Sequence, residues 1–304
     1  MGSTVLMPAS SIFATAASNV ATRNLSDDEL VKMACEKISP SIFHVKFEDK
    51  GGTVVKDHVE NLIKSLPDDL KGEWADKKDE LLGCISETTT GFVVAEDPNY
   101  LAILTCSHSF EACYNASNPI STTTLKGLFK VSVRCDHEEL NHDRRVPRVY
   151  VDAEVCRLDC KKDMLLLRVK KQGFCTRNHV VLDMADNLPP RRLGLVGMVS
   201  WPFDRHRTTV KGNMSHDLRG PEDIYDKNLH GYNFSGSSGA PLVDLESGVI
   251  GMLHGGRVEC FTYFVSLADI KARLRSWGLI KMAGTPGSGT AAGSSSSSRK
   301  RPAP

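Results

Sequence analysis

The sequence of 304 residues lacks long hydrophobic runs and an excess of charge of either sign. No apolar stretch approaches the roughly 18 residues that a membrane-spanning helix needs, so we expect no membrane partner. Lys and Arg together number 38, against 37 for Asp and Glu. Because this balance creates no strong electrostatic field, nucleic acid is also not expected as a partner.

The cysteines lack the spacing of a zinc site. There are nine of them, an odd number, and Cys156-xxx-Cys160 has no second pair that would complete a tetrahedral site. We therefore expect reduced thiols, no bound metal and no organic cofactor. A secretory signal is also missing. An intracellular location, in the cytoplasm or nucleus, is favoured. A chloroplast or other organelle is the alternative, since residues 1–26 are rich in Ser, Ala and Thr.

Both ends of the chain are too poor in apolar residues to fold, so residues 1–25 and 284–304 are predicted to be disordered tails. Between them we expect one domain, residues 26–283. Ser26 and Glu29 form a capping-box pattern that predicts a helix to about Glu36. At the other end, Ser266 caps a predicted last helix, which Gly278 ends.

From residue 88 to residue 267 the pattern is one of short, β-branched strands separated by turns. Residues 55–82 precede them with two charged segments of helical period, divided by Pro67. Many short strands without long helices between them indicate a sandwich or barrels rather than a parallel α/β sheet. The predicted strands include residues 41–47, 91–95, 101–105, 128–133, 148–155, 164–169, 196–200 and 249–253.

Three segments could carry chemistry. In FSGSSGAPL, residues 234–242, glycines allow a tight turn that exposes Ser238. The turn would also aim the amides of Gly236 and Ser238 at one point, as an oxyanion hole requires. LAILTCSHSF, residues 101–110, places His108 at the end of an apolar strand, where a general base is rigidly held. Asp163 begins the apolar strand MLLLRV and could orient an imidazole. Taken singly, each could be an ordinary turn or surface residue.

The order of these residues along the chain is more specific than any one of them. Of the three common orders of the catalytic triad, His, Asp and then Ser is that of the chymotrypsin-type β-barrel enzymes. The all-β pattern, which was derived without the triad, agrees with that order.

Residues from about 41 to 280 resemble the chymotrypsin-fold, or trypsin-like, serine peptidases, and most closely their Deg, or high-temperature-requirement, branch. The motifs that carry the resemblance are TTTGFVVA, LAILTCSHSF, KKDMLLLRV, FSGSSGAPLVDLESGVIGML and YFVSL. Because only about two dozen residues follow Ile280, no PDZ module is expected after the peptidase domain.

The resemblance implies an all-β fold of two six-stranded antiparallel β-barrels, with a helical insert at residues 55–82 and a C-terminal helix. We expect the first barrel at about residues 38–150 and the second at about 151–283. His108 and Asp163 would come from the first barrel, Ser238 and the oxyanion hole from the second. The implied activity is endopeptidase hydrolysis of a peptide or protein through an acyl-enzyme, without a metal or cofactor.

Two departures in the serine turn, together with the unusual helical insert, keep alternatives open. Ser237 replaces an Asp or Asn, and Ala240 replaces a glycine, which is tolerable only if its φ is negative. A catalytically silent binding module therefore remains an alternative, as does a hydrolase of another acyl substrate. His254 could line the substrate pocket, but we favour a merely structural, buried role. The apolar stripe of the insert suggests assembly into a homo-oligomer, or else a lid on its own domain.

Overall fold

The structure is a computed structural model, and it describes residues 25–76, 78–83, 88–115, 118–135, 149–172, 174–175, 179–185, 194–202, 207–213, 229–230, 236–246, 248–256 and 261–280. The predicted tails therefore lie almost wholly outside the described residues and stay predictions. In the described part of the chain, no helix combines the length and the apolarity needed to cross a membrane.

The first sheet closes into a barrel. Its seven strands are antiparallel and follow the order β5-β4-β1-β2-β3-β7-β6. Only Ala153 separates β5 from β6, so the two are one strand that pairs with β4 before this residue and with β7 after it. The sheet thus has the six strand positions of the predicted barrel. The strands are β1 (Ile42–Asp49), β2 (Thr88–Glu96), β3 (Tyr100–Thr105), β4 (Phe129–Arg134), β5 (Val151–Asp152), β6 (Glu154–Asp159) and β7 (Met164–Lys170).

The second sheet has six strands in the order β10-β13-β12-β11-β8-β9. Its edge strands β10 and β9 come within 8 Å of each other between Cα atoms, so this sheet also curls towards closure. The strands are β8 (Leu195–Ser200), β9 (Thr208–Asn213), β10 (Leu229–His230), β11 (Pro241–Val243), β12 (Val249–Gly256) and β13 (Phe261–Ser266). The predicted all-β fold of two antiparallel barrels is confirmed.

The boundary between the barrels lies later than predicted. Strands β5 to β7, residues 151–170, hydrogen-bond into the first sheet, and the second sheet starts only at Leu195. The predicted boundary at about residue 150 is therefore wrong. The strand that follows residue 150 is needed to close the first barrel, because it pairs with both β4 and β7.

The terminal helices begin and end as their capping residues predict. Helix α1 (Asp27–Ile38) has a complete capping box, in which Ser26 Oγ accepts from the Glu29 amide at 3.3 Å. Helix α6 (Leu267–Ser276) begins after Ser266, which accepts from the Asp269 amide at 3.1 Å, and Gly278 follows it with φ of +75°. The short helix α5 (Thr122–Leu128) was not predicted, although Ser121 caps it.

The insert forms three helices, α2 (Val54–Ser65), α3 (Asp68–Asp76) and α4 (Lys78–Gly83). Its apolar stripe is buried within the chain, and Val55, Val59 and Ile63 belong to the core cluster of the first barrel, so this stripe is not free to join another subunit. The alternative of a lid packed on its own domain accounts for the stripe, so the stripe gives no support for assembly, and the assembly role stays a prediction. The stripe consists of Val55, Val59, Leu62, Ile63 and Leu66, each at most 8% exposed.

A hydrophobic cluster joins the two barrels. Phe92, Leu104 and Leu166 of the first barrel pack in one cluster with Val243 and Met252 of the second. Burial of this apolar surface holds the barrels against each other. The junction matters for function because the candidate residues come from both sides of it.

Candidate active site

His108 and Asp163 meet because their strands are neighbours. His108 begins a 3-10 turn (His108–Cys113) just after β3, and Asp163 immediately precedes β7. Strands β3 and β7 pair with Thr105 opposite Leu165, which brings the two side chains together at one end of the barrel. Asp163 has φ of +53°, and it is the only non-glycine residue with positive φ among the described residues.

The three predicted triad residues lie in one hydrogen-bonded line. His108 Nδ1 lies 2.8 Å from Asp163 Oδ2, and His108 Nε2 lies 2.9 Å from Ser238 Oγ. An ionised carboxylate only accepts hydrogen bonds, so Nδ1 carries the proton and Nε2 presents its lone pair to the Ser238 hydroxyl. This is the tautomer that a general base needs.

The Asp163 carboxylate is buried and saturated with donors, since its side chain is only 3% exposed. Its Oδ1 accepts from the amides of Ser107 and His108, both at 2.7 Å, and from Ser107 Oγ at 3.2 Å. Its Oδ2 accepts from His108 and also from His254 Nδ1 at 2.5 Å. These contacts fix the carboxylate in place and leave it no freedom to turn away from His108.

The charges of the site stabilise each other. Burial by itself would raise the pKa of Asp163, but the neighbouring His108 and His254 rings outweigh it and hold that pKa well below its usual range. Burial would lower the pKa of His108, but Cys106 and the Asp163 carboxylate hold it well above the ordinary value of 6.5. His108 is therefore a stronger base than an isolated imidazole.

The turn around Ser238 is locked onto the first barrel. The Ser238 carbonyl accepts from the Thr90 amide at 2.8 Å and from the Thr89 hydroxyl. Gly239 has φ of +80°, and a Cβ at this position would collide with the Thr90 carbonyl and the Thr105 hydroxyl. Only glycine fits this position, for reasons of both backbone conformation and space.

The turn that carries the predicted oxyanion hole leaves both of its amides without an acceptor among the described residues. Gly236 has φ of +90°, and its carbonyl accepts from the Thr90 hydroxyl at 2.8 Å. Within the described part of the chain, the amides of Gly236 and Ser238 donate no intramolecular hydrogen bond. Both are therefore available to a developing negative charge on a substrate carbonyl.

The two departures in this turn are accommodated. Ala240 does not have positive φ, so its Cβ meets no backbone penalty, and it is completely buried. Ser237 is also buried, and its hydroxyl donates to Ser200 Oγ at 3.0 Å, away from the triad. Ser235, the third serine of the segment, lies outside the described residues.

His254 contacts two of the triad residues, which the sequence interpretation did not anticipate. It lies on β12 with its side chain 25% exposed, so the expected burial of this histidine is wrong, while its expected structural role stays a prediction. Besides its hydrogen bond to Asp163, its ring lies edge-on to His108 at 4.6 Å between centroids. Its carbonyl lies 3.4 Å from Ser238 Oγ. The signal in the sequence was the order of the strands. Strand β11 directly follows the serine turn, and β12, which carries His254, pairs with β11.

Comparisons with known proteins agree with this geometry. The family model described as "Trypsin-like peptidase domain" matches residues 89–252, which is more than half of the chain. No curated protein matches the chain significantly.

Several solved structures share the fold. Deg5 aligns with a TM-score of 0.53 and 17% identity, over 84% of this chain and 98% of that one. The Rv3671c protease of M. tuberculosis in its active form aligns with a TM-score of 0.51 and 16% identity, over 84% of this chain and 88% of that one. The serine endoprotease of Yersinia pestis aligns with a TM-score of 0.51 and 12% identity, over 83% of this chain and 66% of that one.

At these identities the solved structures establish the fold, while the family model establishes membership. The fold agrees with the Deg-like branch to which the sequence motifs pointed. The chain belongs to the trypsin-like peptidase domain family and is a serine endopeptidase, a hydrolase of peptide or protein substrates.

Proposed function

We propose that the chain cleaves peptide bonds through an acyl-enzyme, with Ser238 as nucleophile, His108 as general base and acid, and Asp163 as the group that orients His108. The observation that carries this proposal is the position of the His108 ring, hydrogen-bonded at 2.8 Å to Asp163 and at 2.9 Å to Ser238. Nucleophile, base and orienting acid are thus within hydrogen-bond reach without any rearrangement.

In the first half of the reaction, His108 Nε2 takes the proton of Ser238 Oγ while this oxygen attacks the substrate carbonyl. The amides of Gly236 and Ser238 donate to the oxyanion that forms. His108 then gives its proton to the leaving amine, so the C–N bond breaks and an ester to Ser238 remains. In the second half, water loses a proton to His108 and attacks the ester, and Ser238 regains its proton.

The alternative of a silent binding module rested on Ser237, Ala240 and the unusual helical insert. Since the described backbone accommodates both residues without a positive φ at Ala240, no specific observation favours that alternative. Hydrolysis of other acyl substrates uses the same residues and differs only in what the substrate cleft accepts.

Labelling with a fluorophosphonate probe tests the proposal without knowledge of the substrate. We expect the wild-type protein to be labelled on Ser238, as mapped by peptide mass. Labelling should vanish in Ser238→Ala and fall by orders of magnitude in His108→Ala, because the triad acts as a unit.

Ser237→Ala is the matched control, since Ser237 is adjacent in sequence but points to Ser200. It should still be labelled, with a circular dichroism spectrum and melting temperature near those of the wild type. A probe that attaches to another residue, or that labels His108→Ala as fast as the wild type, would refute the assigned roles.

A further inference from the structure

A second group of metal-ligating side chains lies where the first barrel connects to the second. Cys135 directly follows β4, and Cys175 and His179 lie in the connection between β7 and β8. The two Sγ atoms and one His179 ring nitrogen lie within 4.8 Å of one another. Both cysteines are thiols and partly buried, and His179 is 9% exposed. We call this group the Cys2His cluster.

The spacing of these atoms suits a tetrahedral ion. Zinc binds thiolate sulfur at about 2.3 Å and imidazole nitrogen at about 2.0–2.1 Å, so its ligand atoms stand about 3.5–3.8 Å apart. The separations in the Cys2His cluster therefore have to shrink by at most about 1.3 Å for an ion to be enclosed. Side-chain rotation of the two cysteines supplies movements of this size.

The hydrogen bond of His179 determines which of its ring nitrogens can bind an ion. Its Nδ1 lies 2.6 Å from the carbonyl oxygen of Pro40. A carbonyl only accepts, so Nδ1 carries the proton and Nε2 holds the lone pair of the neutral ring. Ligating histidines in metalloproteins are oriented in this way by a backbone carbonyl.

The His179 side of the Cys2His cluster is anchored by several contacts. The His179 ring packs on Phe43 of β1 at 4.8 Å between centroids. Phe174 stacks on the Phe43 ring at 5.4 Å between centroids. Val180 is tied to Ser41 in both directions, since its amide donates to the Ser41 hydroxyl and its carbonyl accepts from it. Ligands on a preorganised scaffold lose little entropy when an ion binds.

We propose that Cys135, Cys175 and His179 bind one zinc ion. Two thiolates and an imidazole are soft ligands that favour zinc over magnesium or calcium, which prefer oxygen. The ion would join the end of β4 to the connection between the barrels and so act as a structural clamp. The site is separate from the triad and does not depend on the proposed peptidase mechanism.

This proposal departs from the expectation that the chain holds no metal. The expectation considered only closely spaced cysteine pairs, whereas Cys135 and Cys175 come from opposite sides of three strands, β5 to β7. The sequence cue that was overlooked is Cys175-xxx-His179, a spacing compatible with two ligands from one segment.

Cobalt(II) titration of the full chain, freed of metal by a chelator and kept under a thiol-free reductant, tests the proposal. We expect one equivalent to bind, with thiolate-to-metal charge-transfer absorption and the intense visible bands of tetrahedral cobalt. Zinc should displace the cobalt and abolish both signals. Charge transfer from sulfur discriminates this site from His108, Asp163 and His254, whose ligand atoms also lie within 4.8 Å of one another but include no sulfur.

Cys135→Ser and Cys175→Ser should each remove the charge-transfer band, whereas Cys156→Ser, a partly buried cysteine outside the Cys2His cluster, should retain it. Chelation should lower the melting temperature of the wild type by several degrees but leave that of Cys175→Ser unchanged. A wild-type protein that binds no cobalt through sulfur overturns the proposal even if a variant fails to fold. So does a band that survives in both cluster variants, or a native Cys135–Cys175 disulfide found by peptide mapping.

Discussion

Replacing Asp163 by Asn tests the part of the site where most contacts converge. The carboxylate accepts hydrogen bonds from Ser107, His108 and His254, all at 3.2 Å or less. In the variant, one carboxylate oxygen becomes an NH2 group, which donates where the carboxylate accepted. If the NH2 group takes the place of Oδ2, it faces the ring nitrogens of His108 and His254, and His108 must shift its proton from Nδ1 to Nε2.

The expected fall in kcat follows from that tautomer of His108. With its proton on Nε2, His108 no longer has a lone pair directed at Ser238, so it cannot remove the hydroxyl proton. We expect kcat to fall by about 10⁴-fold, which corresponds to about 5 kcal/mol of lost transition-state stabilisation. The KM should change little, because Asp163 is buried and makes no contact with substrate in the proposed mechanism.

The assay compares initial rates on a fluorogenic peptide that the wild type cleaves, together with the rate of fluorophosphonate labelling. Asp159→Asn is the matched control, because Asp159 lies four residues earlier and caps the Lys162 amide at 3.1 Å without touching His108. The control should retain turnover near the wild-type value. An Asp163→Asn protein with near-normal kcat would refute the role assigned to the carboxylate.

Acid titration gives an independent measure of the same group. The folded-state pKa of Asp163 is depressed, so its contribution to stability is present above the unfolded value of about 3.9 and is lost as the pH falls below it. The melting temperature of the wild type should therefore fall more steeply below about pH 4 than that of Asp163→Asn, since the variant cannot lose this charge.

Two further predictions concern the neighbours of the triad. Since the pKa of His108 lies above 6.5, kcat/KM should rise with pH through a midpoint above that value. His254→Phe, which removes one donor from Asp163, should move the midpoint higher, whereas an unchanged pH profile would show that His254 does not tune the base. Gly239→Ala should abolish labelling and destabilise the fold by more than the roughly 1–2 kcal/mol that positive φ alone costs. Gly51→Ala measures the cost of positive φ alone, because Gly51 has φ of +93° and an added Cβ would meet nothing within 4 Å. If Gly239→Ala and Gly51→Ala had the same melting temperature, the collision predicted at Gly239 would be refuted.

Local signals made much of the fold predictable from the sequence. The serine caps of the first and last helices lie next to the helices they begin. The alternation of apolar and polar residues that predicts a strand lies within that strand. The order His108, Asp163, Ser238 identified the class of site because that order is specific to one fold. An intracellular location and a homo-oligomeric state stay predictions.

What the sequence did not reveal depends on contacts between distant segments. His254 looks like any histidine on a strand until β12 is placed beside the serine turn. Cys135 and Cys175 become neighbours only when β5 to β7 complete the first barrel. The change of pairing partner at Ala153 was hidden for a similar reason, because it follows from closure of the sheet and not from a local breaker such as Pro or Gly.

The insert also has contacts that the sequence did not reveal, and these contacts determine how assembly should be tested. An amphipathic stripe reveals that something covers it but not what, and here the cover is the first barrel of the same chain. Helix α2 also reaches the catalytic turn, since His58 Nε2 lies 2.9 Å from the Cys113 carbonyl at the end of the 3-10 turn that begins with His108. Deleting residues 55–82 would therefore expose the barrel core and loosen the turn that carries the base. Assembly is better tested by changing exposed residues of the insert, such as Leu70 at 41% exposure, because these changes leave both contacts intact.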